Sequence, residues 1–291
     1  MKQRRFVLGI GAQKSGTSWL HRYLESKKNV NLGFRKEYHI WDAKYTSACS
    51  QFRVYWLETL ISEEKRKIWL MQNTDKYYFD YFCSILDMKD VEISGDITPS
   101  YSSLKSEVFG AIKSSFAQRN VRVSVVFLMR DPAERCISAL SMKNKKTKFR
   151  NDCSDELIKR AKTDAYKIRT NYDETILELE KAFSVNEVYY GIYEEMFNEQ
   201  KIEELSHFLG VDSDPSFAQI RFNESPKISI DKSAITEIAK EYKKVYEFAL
   251  KRFPQVETLW ANINLAGCFG PLFVSALTMS AFAESGCGIF C

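Results

Sequence analysis

Residues 5–24 read RFVLGIGAQKSGTSWLHRYL, an apolar run that enters a turn rich in glycine, serine and threonine and leaves it as a helical pattern. A strand that ends in a tight turn and opens a helix points successive backbone N–H groups, and the positive end of the helix dipole, at one spot where an anion is stabilised. Gly11 and Gly16 permit the turn, Ser15, Thr17 and Ser18 add hydroxyl donors, and Lys14 adds a full charge. Turning a chain requires none of these donors, so the stretch predicts a phosphate- or sulfate-binding loop over Lys14, Ser15, Gly16, Thr17, Ser18 and Trp19. A loop for a nucleoside triphosphate has the order G-x-x-x-x-G-K-[ST]. Gly11 and Gly16 keep that spacing, but Thr17 stands where the lysine belongs, and Lys14 comes two residues before the second glycine.

Outward from this loop the chain alternates strands and helices. RFVLGIGA (5–12), VEISGDI (91–97), VRVSVVFLM (121–129) and EVYYGIY (187–193) are short apolar or β-branched runs, as expected for strands covered on both faces. Helical patterns separate them. The clearest spans 233–253, where Ile235, Ile238, Tyr242, Val245, Ala249 and Phe253 fall on one stripe and Ser233 is a candidate N-cap. This order predicts an α/β fold with a mainly parallel sheet. No repeat and no Pro/Gly/Ser linker divides the chain, so residues 1–260 read as one domain.

Composition narrows the function less. The 291 residues are 45% hydrophobic, enough for a full core. Forty-two Lys+Arg against 38 Asp+Glu leave a net charge of +4, too slight to indicate nucleic acid but compatible with an anion in a local basic pocket. Seven cysteines without CxxC or Cys/His spacing suggest neither a zinc site nor a disulfide framework, and a cytoplasmic location fits them best. The run 143–160, KNKKTKFRNDCSDELIKR, reads as a solvated loop and helix surface. Residues 261–291 form a tail whose stretch 265–282 carries no charge. It has three readings: a buried terminal element, a marginal membrane tail, or an unnatural extension of a body ending near Trp260.

The stretch QKSGTSWL resembles the K-[ST]-G-T-[ST]-x-L loop of sulfotransferases, enzymes that use 3′-phosphoadenosine 5′-phosphosulfate (PAPS). In that family an early lysine sits beside the oxygen bridging phosphate and the departing sulfuryl group. VVFLMRDPAERCISAL (125–140) resembles the family's R-D-P-x-x-R-x-x-S segment, with Arg130, Arg135 and Ser138 matching by position. The resemblance implies that Arg130 and Ser138 bind the 3′-phosphate, a task suited to a guanidinium fork and a helix-borne hydroxyl. FRKEYHIWD (34–42) is similar to the heparan sulfate-type carbohydrate sulfotransferases, in which a glutamate two residues before a histidine is the base. The match makes Glu37 the first candidate base and His39, the base type of cytosolic sulfotransferases, the second.

Two departures accompany the resemblance. GDITPSY (95–101) is similar to the family's E-K-T-P-x-Y segment, but Ile97 replaces the lysine, which argues against a heparan-like acceptor. Asp96 there is an additional candidate base or acceptor contact, or simply a strand-end turn residue. The C-terminal K/R-x-G-x-x-G motif of cytosolic sulfotransferases is missing, and RFNESPKIS (221–229) is left to supply a lid, with Lys227 near the nucleotide.

The resemblance, spanning about residues 5 to 255, implies a P-loop-like three-layer fold and in-line sulfuryl transfer from PAPS to an acceptor hydroxyl, with no metal required. It leaves sugar, lipid, phenol and peptide tyrosine all open as small-molecule or glycan acceptors, carbohydrate being one of these. Tyr38, Trp41, Tyr45, Phe52, Tyr55 and Trp56 are candidate lining residues of the acceptor cleft. Two other classes compete. A P-loop nucleotide kinase would use Asp131 to hold magnesium, and a non-catalytic nucleotide-binding module would keep Glu37 and His39 away from the loop.

Overall fold

The structure is a computed structural model that describes residues 4–144, 153–222 and 228–268. Four strands form one sheet: β1 (Arg5–Gly11), β2 (Ile93–Ile97), β3 (Arg122–Met129) and β4 (Val188–Ile192). Their order is β2-β1-β3-β4 and every pairing is parallel, with Arg5 opposite both Ile93 and Arg122 and Val125 opposite Val188. All four lie within the runs expected to be strands.

The pleat sends alternate side chains to opposite faces, and each face has its own core. Phe6, Leu8 and Ile10 of β1, with Val123, Val125 and Phe127 of β3, point to one side. There they meet the helices Asp75–Leu86, Ser106–Ala117 and Tyr172–Ala182. Val7, Val126 and Leu128 point to the other side, against α1 (Thr17–Glu25) and the helix Glu199–Leu209. Three layers result, because strands apolar on both faces must be covered on both. Phe6 packs between Phe82 and Phe116, at ring-centroid distances of 4.8 and 4.1 Å. Truncating such a buried ring typically costs about 3–5 kcal/mol.

The stripe at 233–253 forms two helices, Lys232–Glu241 and Lys243–Arg252, which meet at Tyr242. The break lets Tyr242 donate its phenol hydroxyl to Ala161 O at 2.6 Å while the second helix packs beside Tyr172–Ala182. Asp231, not Ser233, is the N-cap residue. Of the charge run 143–160, residues 145–152 lie outside the described residues, as do Lys227 and residues 269–291 of the tail. Among the described residues no helix is long and apolar enough to cross a membrane.

β1 lies between β2 and β3, so the chain leaves β1 to one side and returns on the other. In open α/β sheets such a switch point opens a crevice at the carboxyl ends of the strands. The loop after β1 and the residues after β3 therefore face each other.

Candidate active site

The loop after β1 turns through left-handed backbone at Lys14 (φ 71°) and Gly16 (φ 95°). Gly16 is the N-cap of α1, whose first turn carries no acidic side chain to compete with a ligand. Glycine is required at positions 11 and 16 by φ, and at Gly11 by contact with backbone as well. A Cβ on Gly11 would stand 2.6 Å from Pro99 O, and one on Gly16 2.6 Å from Met196 Sδ. The loop is thus wedged between the segments that follow β2 and β4.

A cavity of about 400 Å³ opens over this loop, within the size range of small-molecule sites. From the loop, Lys14, Gly16, Thr17, Ser18 and Trp19 line it; Arg130 and Ser138 line the side beyond β3, and Glu37 and His39 another. Ser15 does not line it, because its backbone turns the side chain inward and its Oγ is buried without a hydrogen-bond partner. Trp19 reaches the cavity only in part: its ring stacks on Tyr23 and its Nε1 donates to Phe217 O at 3.1 Å.

Arg130 is tied to the loop directly. Its Nη1 donates to Lys14 O at 3.4 Å, its Nη2 lies 3.3 Å from Glu134, and its guanidinium stands 4.7 Å from the centroid of Tyr193. Arg135, grouped with Arg130 and Ser138 by sequence pattern, does not join them. It is fully buried and does not line the cavity, with Nη2 3.1 Å from Cys136 Sγ and the guanidinium 5.2 Å from the ring of Tyr166.

The second cluster lies opposite. Glu37 Oε2 is 3.4 Å from His39 Nε2, and His39 Nδ1 is 2.7 Å from Asp42 Oδ2, an oxygen to which Ser100 Oγ also donates. The imidazole stacks on Phe52 at 3.6 Å. Burial alone would lower the pKa of His39, but the hydrogen bonds and charges of Asp42 and Glu37 outweigh it and push the pKa up to about 9. Burial opposes the charge on Glu37, yet the hydrogen bonds and charges of His39 and Lys36 hold it below the usual carboxylate range. At neutral pH the pair is therefore an imidazolium beside a carboxylate. Lys36 connects the cluster to the loop, its Nζ donating to Ser18 Oγ at 2.6 Å and to Glu37 Oε1 at 3.1 Å.

Asp96 stands apart from the cavity as a buried anchor. Its carboxylate accepts from Tyr78 OH at 3.1 Å, Tyr101 OH at 2.8 Å and Thr98 Oγ1 at 2.6 Å, while burial raises its pKa to about 6. Thr98 Oγ1 in turn accepts from Tyr38 N at 3.0 Å, which fixes the backbone between Glu37 and His39. Ile97 is buried in the core facing α1. Among the aromatic candidates only Phe52 lines the cavity; Tyr38 and Trp41 are core residues, and Tyr45, Tyr55 and Trp56 are exposed on the surface.

Lys36, Asp42, Ser100, Arg169 and Tyr193 escaped the reading of the sequence as site residues. Asp42 was detectable, since it follows His39 at helical spacing in the same quoted stretch. Arg169 carries no local signal.

With the fold and the cavity in view, the family to which the chain belongs can be given. A family model described as "Sulfotransferase domain" matches residues 5–245. The chain belongs to that family. Its fold is shared with a solved sulfotransferase from Alicyclobacillus acidocaldarius, at 15% identity and a TM-score of 0.55 over 87% of this chain and 95% of that one. The sulfotransferase domain of the Synechococcus PCC 7002 olefin synthase aligns at 14% identity, covering 82% of this chain and 94% of that one, with a TM-score of 0.43. A mouse sulfotransferase complexed with PAP aligns at 11% identity over 89% and 88%, with a TM-score of 0.43. No curated protein sequence matches significantly.

Proposed function

We propose that this sulfotransferase moves a sulfuryl group from PAPS to a hydroxyl of a small-molecule or glycan acceptor. The observation that carries the reading is the meeting of Glu37 with the Lys14 loop on one cavity, bridged by Lys36. The acceptor hydroxyl gives its proton to the Glu37 carboxylate as its oxygen bonds to sulfur. The bond from sulfur to the bridging oxygen breaks in line, and adenosine 3′,5′-bisphosphate departs. Charge growing on its 5′-phosphate is met by Lys14, the amides of the loop and the N-terminus of α1. Arg130 and Ser138 hold the 3′-phosphate. His39 donates to Glu37 and, being already protonated, leaves Glu37 as the base.

Two observations weigh against the competing classes. Asp131 is not poised for magnesium: its Oδ1 accepts from Tyr246 OH at 2.6 Å and Ala133 N at 2.9 Å, and its Oδ2 from Asn262 N at 2.9 Å. A module that only binds nucleotide has no use for a charged acid–histidine pair beside the loop. The test is incubation with labelled PAPS and a panel of sugars, phenols and tyrosyl peptides. Label on an acceptor hydroxyl supports the reading, and absence of transfer to every member, with intact donor binding, favours the non-catalytic module.

A further inference from the structure

Arg169 lines the same cavity but belongs to neither cluster described above. It is only 8% exposed, its Nε is buried without a hydrogen-bond partner, and no carboxylate among the described residues pairs with it. Its other contacts are neutral: Nη1 donates to Ala165 O at 2.5 Å, and Nη2 lies 3.6 Å from Cys49 Sγ. A buried guanidinium without a counter-ion is costly, and Arg169, unlike the equally unpaired Arg135, lines the cavity, where a bound anion would offset that cost.

The surrounding charges leave that anion unsupplied. Lys36 and His39 are cationic, Glu37 and Asp42 anionic, so these four cancel one another. Asp42, which shares Cys49 as a neighbour, gives its Oδ2 to His39 and Ser100, its Oδ1 has no partner among the described residues, and no ion pair joins it to Arg169. Arg169 therefore contributes an uncompensated positive charge. Its position assigns the charge to the acceptor side. Cys49, against which it packs, lies on the turn Ser47–Phe52, and Phe52 of that turn stacks on His39. Arg130 and Ser138, proposed for the donor's 3′-phosphate, follow β3 as Arg169 does, but Arg130 is tied to Lys14 of the loop and not to the Ser47–Phe52 turn on which Arg169 packs.

We infer that Arg169 selects an acceptor that carries an anionic group, a carboxylate, sulfate or phosphate ester, on the same molecule as the reacting hydroxyl. The inference rests on the sulfuryl-transfer reading above. A guanidinium grips such a group through a charge-assisted, often bidentate pair, which holds the hydroxyl in one orientation before Glu37.

The test uses matched neutral and anionic acceptors: methyl β-glucoside with methyl β-glucuronide, and 4-methylphenol with 4-hydroxyphenylacetate. Each is titrated calorimetrically into the full chain loaded with adenosine 3′,5′-bisphosphate, and then assayed for label transfer from PAPS. In the wild type the anionic member of at least one pair should bind roughly 10-fold more tightly or better, the scale of a charge-assisted hydrogen bond. In Arg169→Gln that preference should fall to a few-fold, mainly through KM, with bisphosphate affinity little changed. Arg169→Lys, which keeps the charge but not the fork, should be intermediate and stands in if the glutamine variant fails to fold.

Equal binding of neutral and anionic members in both pairs overturns the inference. So does a preference that survives Arg169→Gln, which would move it to Lys36, or a loss of bisphosphate affinity in that variant, which would move Arg169 to the donor. Label transferred equally to neutral and anionic members sinks the inference while leaving sulfuryl transfer standing. Absence of both bisphosphate binding and transfer overturns the underlying reading as well.

Discussion

His39 presents its Nε2 to Glu37 at 3.4 Å, and the hydrogen bonds and charges of Asp42 and Glu37 keep it protonated at neutral pH. This has a consequence for stability. A raised folded-state pKa means that protonated His39 stabilises the fold; the contribution is complete below about 6.5 and is lost as pH rises through about 9. Glu37 acts in the opposite sense, contributing above about 4.5 and losing its contribution as pH falls through its depressed folded value. The melting-temperature gap between wild type and His39→Gln should be widest at roughly pH 5 to 6.5 and close toward pH 10. A gap independent of pH across that range would remove the charged pair.

Asp42 holds the other nitrogen of His39 and helps keep it charged. Asp42→Asn should pull the alkaline limit of turnover down by about 1 to 3 pH units, the usual effect of losing one close opposite charge. The measurement is kcat against pH with saturating donor. An unmoved alkaline limb would show that turnover does not need the imidazolium.

In the proposed mechanism Lys14 and Glu37 face charge and proton movement that occur only as the reaction proceeds. Lys14→Ala and Glu37→Gln should each lower turnover by roughly 100-fold or more. Bisphosphate affinity should fall modestly for the first and hardly at all for the second. Turnover within a few-fold of wild type in either variant takes that residue out of the mechanism.

Arg130 and Ser138 flank the cavity together, which makes sense for a nucleotide with a 3′-phosphate. Adenosine 3′,5′-bisphosphate at 100 times its dissociation constant should add about 2.7 kcal/mol of stability. For a chain of this size that is a rise in melting temperature of roughly 5 °C or more. Adenosine 5′-monophosphate should shift melting much less, ATP with magnesium no more than the monophosphate, and Arg130→Ala should narrow the difference. Equal shifts from both adenosine phosphates in the wild type would refute the donor assignment.

Gly11 has φ 139°, and a methyl group there would meet a backbone oxygen, Pro99 O, which cannot swing aside. Gly11→Ala should destabilise the chain by about 1–3 kcal/mol, read by denaturant unfolding. A neutral outcome would mean that the loop is not wedged against the segment after β2.

The sequence by itself determined the layers and two of the segments that line the cavity. Strands apolar on both faces specify a parallel sheet covered twice, and the loop after β1 and the Arg130 segment are each contiguous, so local spacing reveals them. Glu37 and His39 were legible for the same reason. Tertiary structure alone decided which side chains of those segments reach the cavity. Arg135 and Ser138 share one motif and one helix, yet Arg135 is buried against Cys136 and Tyr166 while Ser138 lines the cavity. Tyr242 splits one apolar stripe into two helices because each half packs on a different neighbour. Arg169 stands 120 residues from Cys49 in the chain and meets it only because the segments after β1 and β3 converge at the carboxyl ends of the sheet. Periodicity records which residues leave water, but not which distant side chains they meet, and the end of this cavity lined by Phe52 and Arg169 is assembled from such meetings.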